Sequence, residues 1–240
     1  FVDAPPAVLR AMPHVVKRIE AVRAMRNAST DAQTKKDANN PTQFQKIRQP
    51  KTTRYLAIPK VSSERRQFIP IGYLSSEVIC GDKIFFVDDA SLFTFGVLTS
   101  TMHNAWMRYT CGRLKSDYSY SNTIVYNNFP WPGFVGEPLS DKHRAAIEQA
   151  AQSVLDARAQ FPGSSLADLY DPLTMPPALL KAHQKLDTAV DAAYQPSGGK
   201  KTYATDADRV AFLFDLYQRI TSLLLVPAVK NTRKTNTSES

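Results

Sequence analysis

Two prolines one residue apart, Pro130 and Pro132 in the run Asn128–Gly133 (NFPWPG), stop any helix or central strand that reaches them. Proline lacks a backbone donor and pushes the residue before it towards extended backbone. The chain divides there, and its two sides differ in charge. Residues 1–135 carry 18 Lys and Arg against 10 Asp and Glu, while residues 136–240 carry 12 against 12. All of the net +8 of the 240-residue chain therefore lies on the first side. That side mixes extended and helical patterns; the second is helical only. An α+β fold is predicted. It has a mixed, β-rich domain with packed helices over residues 1–135, with a leading helix, and a small α-helical domain over residues 136–240. The polar tail 230–240 (KNTRKTNTSES) is read as disordered.

On the first side, Val15, Val16, Ile19, Val22 and Met25 recur at helical spacing behind Pro13, predicting a helix from Pro13 to about Asn27. Residues 28–40 are polar and aperiodic and read as a loop. Residues 54–61, 67–74 and 83–88 are rich in β-branched and aromatic residues and read as strands, the first two demoted towards edges by Pro59 and Pro70. Residues 90–109 are apolar on most sides and read as one buried helix, with Gly96 permitting close approach. On the second side, helices are predicted from Ser140 to about Gln160, from Pro176 to about Tyr194 and from Asp206 to Leu225, with a short turn capped by Ser165.

The basic excess is concentrated. From Lys35 to Arg66 nine basic residues (Lys35, Lys36, Lys46, Arg48, Lys51, Arg54, Lys60, Arg65, Arg66) face only Asp37 and Glu64. Such density suits a polyanion, and a solvated basic face is the plain alternative. Asn39, Asn40, Pro41 and Pro50 interrupt it, so it cannot form the long amphipathic helix that a membrane surface prefers. No apolar stretch reaches the length of a membrane span. The first residue is Phe1, no signal-peptide pattern follows, and the chain is read as a fragment of a larger protein.

Catalytic patterns are missing. The histidines at 14, 103, 143 and 183 show no ligand spacing, and Cys80 and Cys111 read as free thiols. No glycine-rich phosphate loop or nucleophile elbow occurs. Glu64 beside Arg65 and Arg66 reads as an ion-pair cluster rather than a general base. Asn127–Pro132 (NNFPWP) departs from the Asn-Pro-Pro-aromatic loop of amino-methyltransferases, because its prolines are neither adjacent nor directly after Asn. It reads as a structural turn. The most informative stretch is Arg113–Ser121 (RLKSDYSYS). If extended, it places Lys115, Asp117 and Ser119 on one face. Lys donates to guanine O6 and N7 and Asp accepts from cytosine N4, so the pair suits a G·C pair read from the major groove. A cross-strand surface ion pair is the plain alternative.

The segments 58–74 (IPKVSSERRQFIPIGYL), 95–132 (FGVLTSTMHNAWMRYTCGRLKSDYSYSNTIVYNNFPWP) and 166–194 (LADLYDPLTMPPALLKAHQKLDTAVDAAY) resemble the C-terminal third of MmeI-type (Type IIL) restriction–modification enzymes. These join a nuclease, an adenine-N6 methyltransferase and a DNA target recognition domain in one polypeptide. The resemblance implies sequence-specific recognition of double-stranded DNA that directs methylation and cleavage, in the bacterial cytoplasm. It implies base-reading pairs at Lys60 with Asp82, Lys83 with Ser119, and Lys115 with Asp117. Lys35, Lys36, Arg48, Lys51, Arg65 and Arg66 are candidate phosphate contacts. The family's S-adenosylmethionine motif and nuclease residues have no match here. S-adenosylmethionine and Mg2+ are accordingly expected of the parent polypeptide and no cofactor of this stretch, which is expected neither to methylate nor to cut DNA alone. A protein–protein docking module without base readout is the alternative from another class.

Overall fold

Pro6 and Pro13 stand in first helical turns, where a missing N–H leaves no bond unmade. They open α1 (Pro6–Arg10) and α2 (Pro13–Asn27). The computed structural model describes residues 5–45, 50 and 52–224, with side chains as far as residue 222. The chain forms two compact units, Phe1–Gln49 and Pro50–Ser240. In the first, the segment expected to be a loop contains α3 (Ala32–Lys36) and a further helical turn, Asp37–Asn39. A cap rather than an apolar face starts α3: Thr34 N–H donates to Asp31 Oδ2 at 2.7 Å. The turn after it is clasped by the buried Arg26, which donates to the carbonyls of Asp37, Asn40 and Gln43 at 2.9, 2.8 and 2.7 Å.

The second unit holds two small antiparallel sheets. In one, β1 (Arg54–Pro59) lies between β3 (Gly72–Ser75) and β4 (Ile84–Asp88). In the other, β6 (Asp117–Ser119) lies between β2 (Val61–Ser62) and β5 (Gly112–Leu114). The strand predicted over 54–61 thus serves both sheets and changes partner at Lys60. The strand predicted from residue 67 begins only at Gly72. Pro70 offers no donor, and the Ile69 N–H is taken by the buried Asn104 Oδ1 at 2.9 Å.

The apolar run 90–109 is two helices, α4 (Leu92–Thr99) and α5 (Thr101–Thr110). Ser100 is extended between them, and its hydroxyl caps α5 by accepting from His103 N–H. Gly96 is packed as its sequence context suggests. A Cβ there would lie 2.8 Å from Ile147 Cγ2, 3.1 Å from Ala151 Cβ and 3.3 Å from Leu186 Cδ1. Gly96→Ala should therefore overpack the contact and cost about 1–3 kcal/mol, read as a lowered melting temperature.

The later helices are α6 (Asp141–Ala159), α7 (Leu166–Leu169), α8 (Pro177–Tyr194) and α9 (Asp206–Leu224), close to their predicted bounds. The predicted disordered tail lies outside the described residues. One hydrophobic core runs from Leu56 and Ile58 through Phe95, Trp106 and Phe129 to Ile147, Leu186 and Leu216. The sheets and helices α4–α9 are thus built on a common interior. The NFPWP turn is part of it: Phe129 and Pro130 are buried, and Tyr194 Oη donates to the Pro130 carbonyl at 2.9 Å.

Candidate nucleic-acid interface

The segment Arg113–Ser121 is not the continuous extended face predicted from its alternation. It folds back as a hairpin, with Leu114 opposite Asp117, Arg113 opposite Tyr118 and Gly112 opposite Ser119. Lys115 and Ser116 form the two-residue turn, and Lys115 has φ +56°, in the left-handed region a lysine seldom occupies. Arg113 supports this turn. It donates to the Ser116 carbonyl at 2.9 Å, stacks on the Tyr118 ring at 4.2 Å, and lies 3.8 Å from Glu64. Glu64 is thus placed as an ion-pair partner, as its sequence neighbours suggest.

Asp117 and Ser119 share the outer face of this ribbon, while Tyr118 and Tyr120 are buried on the inner one. Lys115 is held at the tip, exposed to solvent. The root of the ribbon is fixed to the interior by a short relay. Tyr120 N–H donates to the Lys60 carbonyl at 2.8 Å. Its hydroxyl meets His103 Nε2 at 3.1 Å, and His103 Nδ1 meets the Leu98 carbonyl at 2.9 Å. A carbonyl only accepts, so Nδ1 carries the hydrogen and Nε2 accepts from Tyr120.

Lys60 joins the remaining sequence-predicted residues to the ribbon. Its N–H donates to the Lys83 carbonyl at 2.9 Å, and its ammonium lies 4.5 Å from the centre of the Phe85 ring. Lys83 and Asp82 are strongly exposed and pair with each other at 3.3 Å. Asp82 therefore pairs with its chain neighbour rather than with Lys60. Backbone bonds at Lys60 nevertheless link the two sheets: it donates to the Lys83 carbonyl and accepts from the Tyr120 N–H, next to the strand of Asp117 and Ser119. Among the phosphate candidates, Lys35 and Lys36 are exposed on α3, and Arg65 is exposed in the turn after β2. Arg66 is half-buried and reaches the Ala167 carbonyl at 3.5 Å. Arg48 and Lys51 lie outside the described residues. Arg113 and Tyr120, which shape the ribbon, were not singled out by sequence. The adjacency of Arg113 to the Lys–Ser–Asp run was the available signal.

Burial sets the protonation of the supporting groups. It holds the His103 ring at about 4, partly opposed by its bond to the Leu98 carbonyl. It holds His183 at about 3, with the positive charge of Arg158 adding to the effect. Burial raises Asp187 to about 6, against its bonds from the Thr101 N–H and hydroxyl, each 2.6 Å. The depressed histidines lend stability that is present above about pH 6.5 and lost on acidification. The raised carboxyl acts oppositely: its contribution is full near pH 4 and lost as pH rises through 6. Asp187→Asn removes that opposition. It should steepen the acid loss of stability between pH 6 and 4 by about 1.4 kcal/mol per pH unit, measured by denaturant melts at stepped pH.

Among the described residues no group of three or more His, Cys, Asp or Glu is placed to hold a metal ion. No described helix is long and apolar enough to cross a membrane. What the hairpin offers is hydrogen-bond donors and acceptors at its exposed tip and along its outer face.

The arrangement is that of a recognition module, with its polar face carried by the β5–β6 hairpin of a three-stranded sheet on a helical scaffold. Residues 1–133 match the target recognition domain of MmeI, and residues 139–225 match its C-terminal domain. The chain belongs to the MmeI family and spans these two domains. It is 38% identical over 214 residues to DNA methyltransferase A of Bacillus subtilis (strain 168), covering 89% of this chain and 23% of that protein. It also superimposes, with a TM-score of 0.81 and 48% identity, on the Type IIL restriction–modification enzyme MmeI solved in complex with DNA. That match covers 92% of this chain and 28% of the solved one. The chain therefore spans about a quarter of the length of each relative.

Proposed function

We propose that this chain is the sequence-reading part of a Type II restriction–modification enzyme and binds double-stranded DNA. It directs adenine-N6 methylation and cleavage performed by other domains of a longer polypeptide. The observation that carries this is the β5–β6 hairpin, which presents Asp117 and Ser119 on its outer face and Lys115 at its exposed tip. Lys60, Asp82, Lys83, Lys115, Asp117 and Ser119 are its base-reading set. Lys35, Lys36, Arg48, Lys51, Arg65 and Arg66 are its phosphate contacts, with Arg66 partly engaged within the fold. Phosphate contacts fix register, and base edges give sequence. The helices after residue 136 buttress the ribbon through the shared core, so the functional division at about 135 does not require two interiors. The S-adenosylmethionine and Mg2+ of such an enzyme belong to domains beyond these residues. Among the described residues no group of three or more His, Cys, Asp or Glu is placed to hold a metal ion, and no step here is routed through either group. The site of action is the bacterial cytoplasm.

Binding to duplex DNA across a salt series tests this. With six or more phosphate contacts, affinity should fall about a thousandfold or more between 50 and 200 mM salt. Salt-insensitive assembly with a protein partner, without DNA binding, would instead favour a docking module.

A further inference from the structure

An aliphatic side chain stands in solvent beside the Lys115–Asp117 pair: Leu114 is 58% exposed directly before Lys115 and opposite Asp117. The ribbon fixes where Leu114 stands. Cross-strand partners share a face, so Leu114 lies with Asp117, and Gly112 with Ser119, on the outer face. Arg113 and Tyr118 occupy the inner one, where the guanidinium stacks on the buried ring. Gly112 leaves the outer face low: a Cβ there would meet nothing nearer than Ser119, at 3.8 Å. Leu114 is thus an exposed apolar projection beside an acceptor.

In the major groove, the cytosine N4 donor adjoins C5, and thymine carries its methyl group at that same C5. A ribbon whose Asp117 accepts from N4 brings its cross-strand neighbour to the C5 edge. We propose that Leu114 is a specificity-determining residue. Its side chain packs on the C5 edge of the pyrimidine at, or next to, the base pair addressed by Asp117. This rests on the ribbon reading the major groove.

Duplexes recovered by the chain from a random library define its sequence. Each pyrimidine in it is then altered at C5 alone, thymine to deoxyuridine and cytosine to 5-methylcytosine, and affinity is measured for the chain and for Leu114→Ala. At one position, losing the methyl should weaken binding, or gaining it strengthen binding, by about fourfold. Leu114→Ala should abolish that difference with the melting temperature unchanged. A C5 effect that persists in Leu114→Ala, or none at any position, overturns the proposal. The ribbon's reading survives that result if Lys115→Glu with Asp117→Arg still alters the recovered sequence. An unaltered sequence in that double variant overturns the reading itself, and this proposal with it.

Discussion

The double exchange Lys115→Glu with Asp117→Arg should replace guanine by cytosine at one position of the DNA sequence that the chain selects. Lys115 offers only donors, which suit guanine O6 and N7, and Asp117 offers only acceptors, which suit cytosine N4. Exchanging donor for acceptor reverses which strand each residue prefers. A good base contact is worth about 1–3 kcal/mol of discrimination, so the preference at that position should invert by about ten- to a hundredfold on each side. The backbone makes a sharper companion test available. Lys115 occupies the left-handed region at φ +56°, which costs an L side chain about 1–2 kcal/mol and glycine almost nothing. Lys115→Gly should therefore stabilise the fold by about 1 kcal/mol while losing the guanine preference. A merely structural lysine would give the gain in stability with no change in selection. Retained guanine preference in Lys115→Gly would remove Lys115 from the reading set.

The hairpin that makes this test possible was not legible in the sequence. Its turn is Lys115–Ser116, with neither the Asn-Gly nor the Gly-X pair that marks a two-residue hairpin. The alternation around it therefore extended through the turn on paper. Lys115, Asp117 and Ser119 were proposed from residue type, but the shared face of Asp117 with Leu114 needed the register. The helices α2, α6, α8 and α9 were legible because Pro13, Ser140, Pro176 and Asp206 mark their starts and an apolar stripe follows. The break at Ser100 was hidden, since buried apolar residues continue on both sides of it, from Val97 and Leu98 to Met102 and Ala105. Charge was read from counts, which locate the basic excess but not its partners. Arg66 looked identical to Arg65 until Ala167 was placed beside it. Arg158 was not singled out from the sequence, although its spacing of four, seven and eleven from the buried Val154, Ala151 and Ile147 sets it on the core face.

That buried arginine is where a single substitution should do most damage. Its guanidinium donates to the Ile71 carbonyl at 2.8 Å and to the Tyr170 hydroxyl through Nε at 2.9 Å and also through Nη2. It lies 4.9 Å from the centre of the Tyr170 ring and 5.1 Å from that of Phe95. Among the described ion pairs it has no carboxylate partner, so a carbonyl, a phenol and two ring faces carry its charge. Tyr170 in turn meets His183 Nε2 at 2.7 Å, and His183 stacks on Phe68 with ring centres 4.0 Å apart. Arg158 thereby ties the backbone entering β3 to α6, to α7 through its neighbour Tyr170, and to α8. Arg158→Ala leaves the Ile71 carbonyl and the Tyr170 hydroxyl without these donors and opens a void beneath Phe95. The expected cost is about 3–5 kcal/mol, or about 10 °C in melting temperature. Arg158→Met fills most of the volume and removes a buried charge, so it should cost less than half as much. Removing that charge also relieves part of what depresses His183, whose proton affinity should rise in Arg158→Met. Nuclear magnetic resonance titration of the histidine ring reads this rise. An Arg158→Ala variant melting within about 2 °C of the parent chain would show that the guanidinium does not hold these elements together.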